Sequence, residues 1–253
     1  MISIDEIRQV MLCAWDGVDD LVATARKAHF RVDDHPARSR FLRPEDVITS
    51  VHQYKAWWQA PDHWRLDQTF FNGRVLSYVT VGDEWTLWRD GVPYQNGSVT
   101  RAKETQFTRG DDLIFGRPYL GPAENAQLWA WLNPALWATS CSLLVDDGYQ
   151  PSSDDVDAPD EIVHVLASQS WRHDLMDRDR ANKYKTMMLD DWDRDMDIGE
   201  CVNFWQLWID MKTGFLQRIT GESGNGRLWD IMVDSVLINQ SSGVGSNVFD
   251  RHT

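Results

Sequence analysis

Apolar residues near the start of the chain recur at spacings of three and four. They follow an S-x-x-E capping box formed by Ser3 and Glu6, a pattern typical of a helix N-terminus. The recurring positions are Ile7, Val10, Met11, Ala14, Val18, Leu21, Val22 and Ala25. This period predicts an amphipathic helix over residues 3–28, or two helices with a break near Gly17. Its apolar stripe is expected to dock on a sheet.

From residue 47 onward the apolar period changes to two. In "HWRLDQTFF", Trp64, Leu66 and Phe70 share one parity and polar residues alternate with them. Asn72-Gly73 is a strong hairpin signal, and Gly82-Asp83 marks a second tight turn. Four short runs joined by such turns predict an antiparallel meander over residues 47–90.

The rest of the chain alternates between helical and strand-like segments. Residues 122–145 form a markedly apolar helical insert, and residues 162–171 read as a strand. Residues 172–200 are highly charged and are interpreted as an excursion between strands. Residues 201–240 return to strands and turns, and the tail from Ser241 is expected to fray. We find no internal repeat. The sequence predicts one α+β domain over residues 1–253, a large curved antiparallel sheet whose concave face is covered by the helix and the insert.

Tryptophan is the outlier of the composition, with 14 residues against 6 Tyr and 9 Phe. Aromatic residues on half-buried strands could fill a core or line a ligand cavity, and curved antiparallel sheets often enclose one. Because Trp85 and Trp88 lie on a predicted strand, their rings are expected on opposite faces. Strand parity selects a set of candidate ligand-binding residues for the cavity lining: Trp58, Trp64, Phe70, Tyr78, Trp88, Trp131 and Trp208.

Charge and targeting signals narrow the possible partners. The formal net charge of −14 disfavours nucleic acid and anionic membrane surfaces. The longest basic stretch, residues 26–43, is interpreted as a solvated, partly loop-like face. No run of apolar residues is long enough for a membrane span. The N-terminus lacks the basic and apolar regions of a signal peptide, and Cys13, Cys141 and Cys201 form no CxxC motif. We therefore expect buried free thiols and a cytoplasmic protein.

The sequence contains no positive catalytic or metal-binding signature. In "DDWDRDMDIGE" the spacing of Asp191, Asp193 and Asp195 imitates a calcium-binding loop, but Met196 occupies the position that requires glycine. The histidines form no metal-binding motif. His52 and His164 lie in predicted strands, where a partly buried structural histidine is the favoured interpretation. We predict no catalytic residue, no metal ion and no cofactor.

In its order of elements the chain resembles the LolA-like family of bacterial lipoprotein carriers. The residues that carry the resemblance are Pro61, Trp64 and Arg65 in "APDHWRLD", the hairpin "VTVGDEWTLWRDG", and the turn of Asp210, Thr213 and Gly214 in "WIDMKTGFLQRITGE". The resemblance implies a strand in "VATARKAHFRV" after the N-terminal helix. It also implies a half-barrel with an apolar concave face, lid helices within residues 122–145, and a periplasmic carrier role.

Three functions are compatible with these observations. The first is non-catalytic binding of a hydrophobic small molecule, acyl chain or lipid between the sheet and the helical insert. The second is a protein-interaction or regulatory module that contacts a protein partner through the acidic loops and the excursion at 172–200. The third is an enzyme that uses a carboxylate or histidine of the same cavity on a hydrophobic substrate. We rank them in that order.

Overall fold

The computed structural model of the protein describes residues 2–30, 48–98, 130–145, 162–168, 204–223, 226–240 and 246–249. Its first element is helix α1, Ile4–Leu12. The capping box is confirmed, because Ser3 Oγ accepts a hydrogen bond from the Glu6 amide at 3.2 Å and the Ser3 amide donates to Glu6 Oε2 at 2.7 Å. These bonds satisfy two amides that a helix start leaves without intrahelical partners.

The helix predicted over residues 3–28 is wrong beyond α1. The chain turns after Leu12, and Gly17 adopts a φ of 72°, which a helix cannot continue. Residues Asp20–Phe30 form strand β1, in agreement with the strand that the resemblance implied. The buried residues Leu21, Ala23 and Ala25 alternate along this strand, so the apolar period of two decides the structure here.

Within the described residues, eleven strands form one antiparallel sheet in the order β6-β5-β4-β3-β2-β1-β11-β10-β9-β8-β7. The large curved antiparallel sheet of the prediction is therefore confirmed. The strands after β1 are β2 Ile48–Gln59, β3 His63–Thr69, β4 Val75–Val81, β5 Glu84–Arg89, β6 Val92–Ser98, β7 Ser142–Val145, β8 Ile162–Ser168, β9 Phe204–Asp210, β10 Leu216–Ser223 and β11 Gly226–Ile238.

The predicted meander is confirmed as β2 to β5, and β6 extends it beyond residue 90. Gly73, in the first of its tight turns, has a φ of 80°. The register pairs Trp85 with Thr80 and Trp88 with Ser77 across β4 and β5. Since Thr80 and Ser77 differ in parity, the two indole rings lie on opposite faces, as the sequence predicted.

The helical insert is shorter at its end than expected. Its described part consists of a short 3-10 helix, Ala130–Leu132, and helix α2, Pro134–Ser140. Residues 142–145 then form β7 rather than helix, because Leu143 and Val145 pair with β8. Residues 122–129 and the charged excursion at 172–200 lie outside the described residues.

The helices cover one face of the sheet, which we call the inner face. The side chains of Ile7 and Met11 from α1 are fully buried, and Trp137 from α2 makes an edge contact with Trp205 of β9 at 5.4 Å between ring centroids. At Gly214, where φ is 76°, a Cβ atom would lie 2.4 Å from the Val10 carbonyl oxygen. Glycine thus lets the turn between β9 and β10 approach α1 closely.

The opposite, outer face is covered in part by the end of the chain. Residues Ser246–Phe249 form a short 3-10 helix, so the expected fraying of the tail is wrong for this segment. Phe249 is buried there, and Arg65 Nη1 donates to the Val248 carbonyl at 3.0 Å. Arg65 belongs to β3, so this bond ties the last helix to the middle of the meander.

The sequence analysis also predicted that no segment spans a membrane and that the free thiols are buried. None of the helices in the described part of the chain has the length and apolar character needed to cross a bilayer. Cys141 is buried, as expected, whereas Cys13 at the end of α1 is exposed. The expectation of buried thiols is therefore wrong for Cys13.

Candidate functional site

The inner face carries rows of side chains that run across neighbouring strands. Residues directly opposite one another in an antiparallel pair point to the same face. One row is formed by Leu21, Trp58, Trp64, Thr80 and Trp85 of β1 to β5. A neighbouring row is formed by Ala23, Ala56, Leu66, Tyr78 and Leu87. Together they make a continuous surface that is mainly aromatic and aliphatic.

Five of the predicted lining residues belong to this side of the sheet. Trp58, Trp64 and Tyr78 lie in the two rows, and each is at most 6% exposed. Phe70 follows β3 and contacts the His52 ring edge-on at 4.9 Å. Trp131 of the 3-10 helix faces Tyr54 at 6.4 Å between centroids, so it belongs to the cover of the inner face. Whether these residues bind a ligand stays a prediction.

The register places the other two predicted residues on the outer face. Trp88 pairs with Ser77, and Trp208 pairs with His164 and Arg218. Their assignment to the concave lining is therefore corrected. Trp88 was assigned to the wrong face because the two-residue turn after β4 places Trp85, and not Trp88, on the same face of the sheet as Tyr78.

Counting alternate residues along the predicted strands missed three tryptophans of the inner face, Trp85, Trp205 and Trp229. Trp205 and Trp229 both pair with Gly221. A Cβ atom on Gly221 would lie 2.4 Å from Cε2 of Trp229, and one on Gly97 would lie 2.8 Å from Nε1 of Trp85. In both places glycine leaves room for an indole ring to lie across the neighbouring strand. A glycine inside an apparent strand was the signal that could have located these rings.

Several inner-face indoles present buried N–H groups to their surroundings. In the described part of the chain, the indole nitrogens of Trp58, Trp85, Trp131, Trp205 and Trp229 are buried and have no hydrogen-bond partner. Trp15, by contrast, donates to the Leu132 carbonyl at 2.9 Å. A buried donor without an acceptor costs about 1–3 kcal/mol. Such donors can be satisfied by acceptor atoms of a bound molecule.

One end of the inner face carries a buried polar group, formed by Lys27, His52, Tyr54 and Gln68, which we call the inner polar group. Lys27 is 2% exposed and lies opposite His52 in the register. Gln68 Nε2 donates to His52 Nδ1 at 3.2 Å and to the Tyr54 hydroxyl at 3.4 Å. The interpretation of residues 26–43 as a solvated face is therefore wrong at Lys27, whose strand position turns it inward.

The charge state of the inner polar group follows from its burial. Desolvation, together with the positive charge of Lys27, lowers the pKa of His52 to about 4. His52 is thus neutral at neutral pH, and an imidazole of such low pKa is a weak base. The imidazole therefore adds no positive charge to the group at neutral pH.

A second polar cluster lies on the outer face of β8 to β11 and is called the outer polar network. His164 Nε2 donates to Gln206 Oε1 at 3.0 Å, and Gln206 Nε2 donates to Glu222 Oε1. Beside them, Arg218 donates two hydrogen bonds to the Asp230 carboxylate, at 3.0 Å and 2.7 Å. The Arg218 guanidinium also lies 4.9 Å from the centre of the Trp208 ring.

The remaining chemical test concerns metal ions. Among the residues that the structure describes, no group of three or more His, Cys, Asp and Glu side chains is arranged to hold a metal ion. The acidic loop around Asp191 to Asp195 lies outside these residues, as does Cys201. The prediction for that loop is therefore untested.

Comparison with known proteins identifies similar folds. No protein-family model and no curated protein matches the sequence. MucB in its complex with MucA from Pseudomonas aeruginosa is 10% identical, with a TM-score of 0.40, over 96% of this chain and 61% of that chain. Lipoprotein LppX of Mycobacterium tuberculosis is 13% identical, with a TM-score of 0.40, over 93% of this chain and 97% of that chain. A LolA superfamily protein of Nitrosomonas europaea is 9% identical, with a TM-score of 0.33, over 99% and 98%.

These matches agree with the resemblance seen in the sequence, since a LolA superfamily structure is among them. At such identities the likeness concerns the fold alone, and this chain spans less than two thirds of the MucB chain. The matches contradict the prediction of a cytoplasmic protein. One of them is a lipoprotein.

Proposed function

We propose that the protein binds a hydrophobic small molecule, such as an acyl chain or lipid, between the inner face of the sheet and the helices that cover it. The observation that carries the proposal is the aromatic surface of the inner face, in which five indole N–H groups of the described chain are buried without an acceptor. If these residues only filled the core, side chains without polar atoms would stabilise the fold more than indole rings do.

The composition of the surface supports an elongated apolar ligand. The two rows across β1 to β5 combine flat indole rings with small residues, since Ala23 and Ala56 lie between larger neighbours. Pockets for small ligands are typically lined by hydrophobic and aromatic side chains with a few polar groups. The inner polar group supplies polar atoms at one end of such a surface.

Native mass spectrometry of protein purified without detergent tests the proposal directly. We expect a bound mass that organic extraction removes, and saturable binding of a fluorescent fatty acid by the extracted protein. An unmodified mass combined with no binding of the probe would contradict the proposal. It would then favour a filled core.

Trp85 and Trp88 provide a matched pair of variants for this experiment. Both belong to β5 and both are partly buried, but only Trp85 lies on the inner face. We expect Trp85→Leu to weaken binding of the fluorescent fatty acid about five- to tenfold, since roughly 1 kcal/mol of aromatic contact is lost. Trp88→Leu is expected to change binding less than twofold, about 0.4 kcal/mol. Equal effects of the two variants would place the ligand elsewhere.

The other two hypotheses stay predictions. The protein-interaction hypothesis depends on the acidic loops and on residues 172–200, which lie outside the described residues. The enzyme hypothesis requires a strong acid or base in the cavity, and the low pKa of His52 does not favour this residue as a base.

A further inference from the structure

Thr80 places a hydroxyl group inside the inner face, in the row that also contains Trp58, Trp64 and Trp85. The residue is 2% exposed, and in the described part of the chain its Oγ1 atom is buried without a hydrogen-bond partner. A hydroxyl group can donate one hydrogen bond and accept others, and within these residues it does neither. A buried polar atom in this state calls for a partner from outside the fold.

Trp85 presents a second polar group of this kind beside the first. Thr80 and Trp85 lie directly opposite each other in β4 and β5. The indole nitrogen of Trp85 is buried and, among the residues that the structure describes, has no hydrogen-bond partner. Trp85 as a whole is partly exposed, so the row reaches solvent at this end. Two unsatisfied polar groups thus occur side by side.

The position of the Trp85 ring explains why the two groups do not bond to each other. Gly97 of β6 is the Cα partner of Trp85, and a Cβ atom there would lie 2.8 Å from the indole Nε1. The ring therefore leans over Gly97. Because β6 lies on the side of β5 away from β4, this orientation carries the ring away from Thr80.

The chemistry of the two groups selects an uncharged acceptor. An indole nitrogen only donates and a hydroxyl can donate, so both can share one acceptor oxygen. Opposite residues of an antiparallel pair have Cβ atoms about 4.5–5.5 Å apart, which brings both donors within reach of one atom. The row from Leu21 to Trp85 contains no charged residue, and an unpaired anion is costly to bury. A carbonyl oxygen meets these requirements.

We infer that the ligand carries an uncharged carbonyl group within its apolar chain, and that Thr80 and Trp85 hold the oxygen of this group by two hydrogen bonds. Thr80 is the small residue between two tryptophans of the row, which gives the carbonyl its place between two rings. The hydrocarbon on either side lies along the aromatic rows. This inference rests on the proposed function and specifies the chemistry of its ligand.

Two probes with the same carbon chain test the inference: dihexyl ketone and tridecane, which differ by one carbonyl group. Displacement of the fluorescent fatty acid from extracted protein gives the affinity of each probe. Infrared spectroscopy of the bound ketone, with an isotope label at the carbonyl carbon to identify its band, gives the C=O stretching frequency. We expect a lower frequency than for the ketone in hexane, because hydrogen bonds to the oxygen weaken the C=O bond.

Variants assign the carbonyl to the two residues. Thr80→Val removes the hydroxyl group, and Trp85→Phe removes the N–H group but keeps an aromatic ring. Each should weaken binding of the ketone relative to tridecane roughly threefold to tenfold, the effect of one lost hydrogen bond, and should raise the frequency of the bound carbonyl.

Thr220→Val is the matched control. Thr220 is fully buried, and its hydroxyl also has no partner among the described residues, but it pairs with Gln206 on the outer face. Its replacement should change neither the ratio of the two affinities nor the carbonyl frequency. Circular dichroism verifies that each variant is folded.

The possible outcomes separate the inference from the proposed function. If the wild-type protein binds neither the fluorescent fatty acid nor the probes, the proposed function fails and the inference fails with it. If it binds the fatty acid but not the ketone, or holds the ketone at its frequency in hexane, only the inference is overturned. A lowered frequency that neither folded variant changes means that water holds the oxygen, and this also overturns the inference. Should Thr80→Val not fold, Trp85→Phe decides.

Discussion

Two buried glutamine–histidine pairs occupy opposite faces of the same sheet. On the inner face, Gln68 contacts His52 at 3.2 Å, and on the outer face, Gln206 contacts His164 at 3.0 Å. Both histidines are less than 10% exposed. The pairs therefore share their chemistry and their burial, but they differ in how their other atoms are satisfied.

The outer pair continues into a hydrogen-bonded network. Both polar atoms of the Gln206 amide are engaged, one with His164 and the other with the Glu222 carboxylate. In the inner pair the Gln68 amide donates through its nitrogen, but within the described residues its oxygen has no partner. The comparison teaches that burial of polar groups alone does not identify a binding site. The difference between the two glutamine amides is therefore a better guide to their roles than burial is.

The largest expected effect concerns the protonation of His52. Burial and the charge of Lys27 lower its folded pKa from 6.5 to about 4, so between these pH values the unfolded chain binds a proton that the folded protein does not. Stability from this residue is fully present above pH 6.5 and is lost as the pH falls toward 4. The loss amounts to about 3 kcal/mol near pH 4. Urea unfolding at pH 7 and near pH 4.5 should show a steeper loss for wild type than for His52→Gln. Parallel losses would mean that His52 titrates normally.

A smaller effect is expected when the outer network is opened. Gln206→Met removes both hydrogen bonds of the amide and leaves His164 and Glu222 partly buried without it. We expect a loss of about 1–2 kcal/mol in the free energy of unfolding at pH 7, measured by urea denaturation. A neutral result would show that the network is solvated and not structural.

The smallest effect is expected for the corresponding change on the inner face. Gln68→Met removes the donor to His52, but it also removes the oxygen that has no partner among the described residues. These two contributions oppose each other, so the ligand-free protein should change by less than about 1 kcal/mol. If Gln68→Met costs as much as Gln206→Met under the same conditions, the two pairs have the same structural role.

The local parts of this fold could be predicted from the sequence, because their signals are local. Asn72-Gly73 fixed a hairpin, and the alternation around Trp64 identified a strand with one buried side. The helix over residues 3–28 was wrong because a spacing of four residues, as between Leu21 and Ala25, fits one face of a strand as well as one face of a helix. Only the pairing of β1 with β2 and β11 distinguishes the two periods in residues 20–30, and this pairing is not encoded locally.

The site residues could be predicted from the sequence where the alternation of side chains along a regular strand determines the face on which each residue lies. Trp58, Trp64 and Tyr78 lie on the inner face because their strands are regular, whereas Trp88 was misplaced by one step of register. Lys27 and Gln68 escaped the prediction for a different reason. Gln68 shares the alternation of Leu66 and Phe70, but a polar residue in an amphipathic strand is normally assigned to solvent. For Lys27, only the sheet shows that the position points inward.

The pairing of β1 with β11 joins the two halves of the sheet, and it can form only after β11 has been synthesised. The Asp19 amide donates to Asn239 Oδ1 at 2.7 Å across a sequence separation of 220 residues. Asn239 Nδ2 also donates to the Gly17 carbonyl at 2.8 Å, which ties the start of β1 to the end of β11. Until β11 has been synthesised, β1 and β10 present open edges that can pair with other chains. The two halves of the sheet are therefore joined by contacts of high sequence separation, which form slowly, and a nascent chain without β11 exposes two unpaired strand edges.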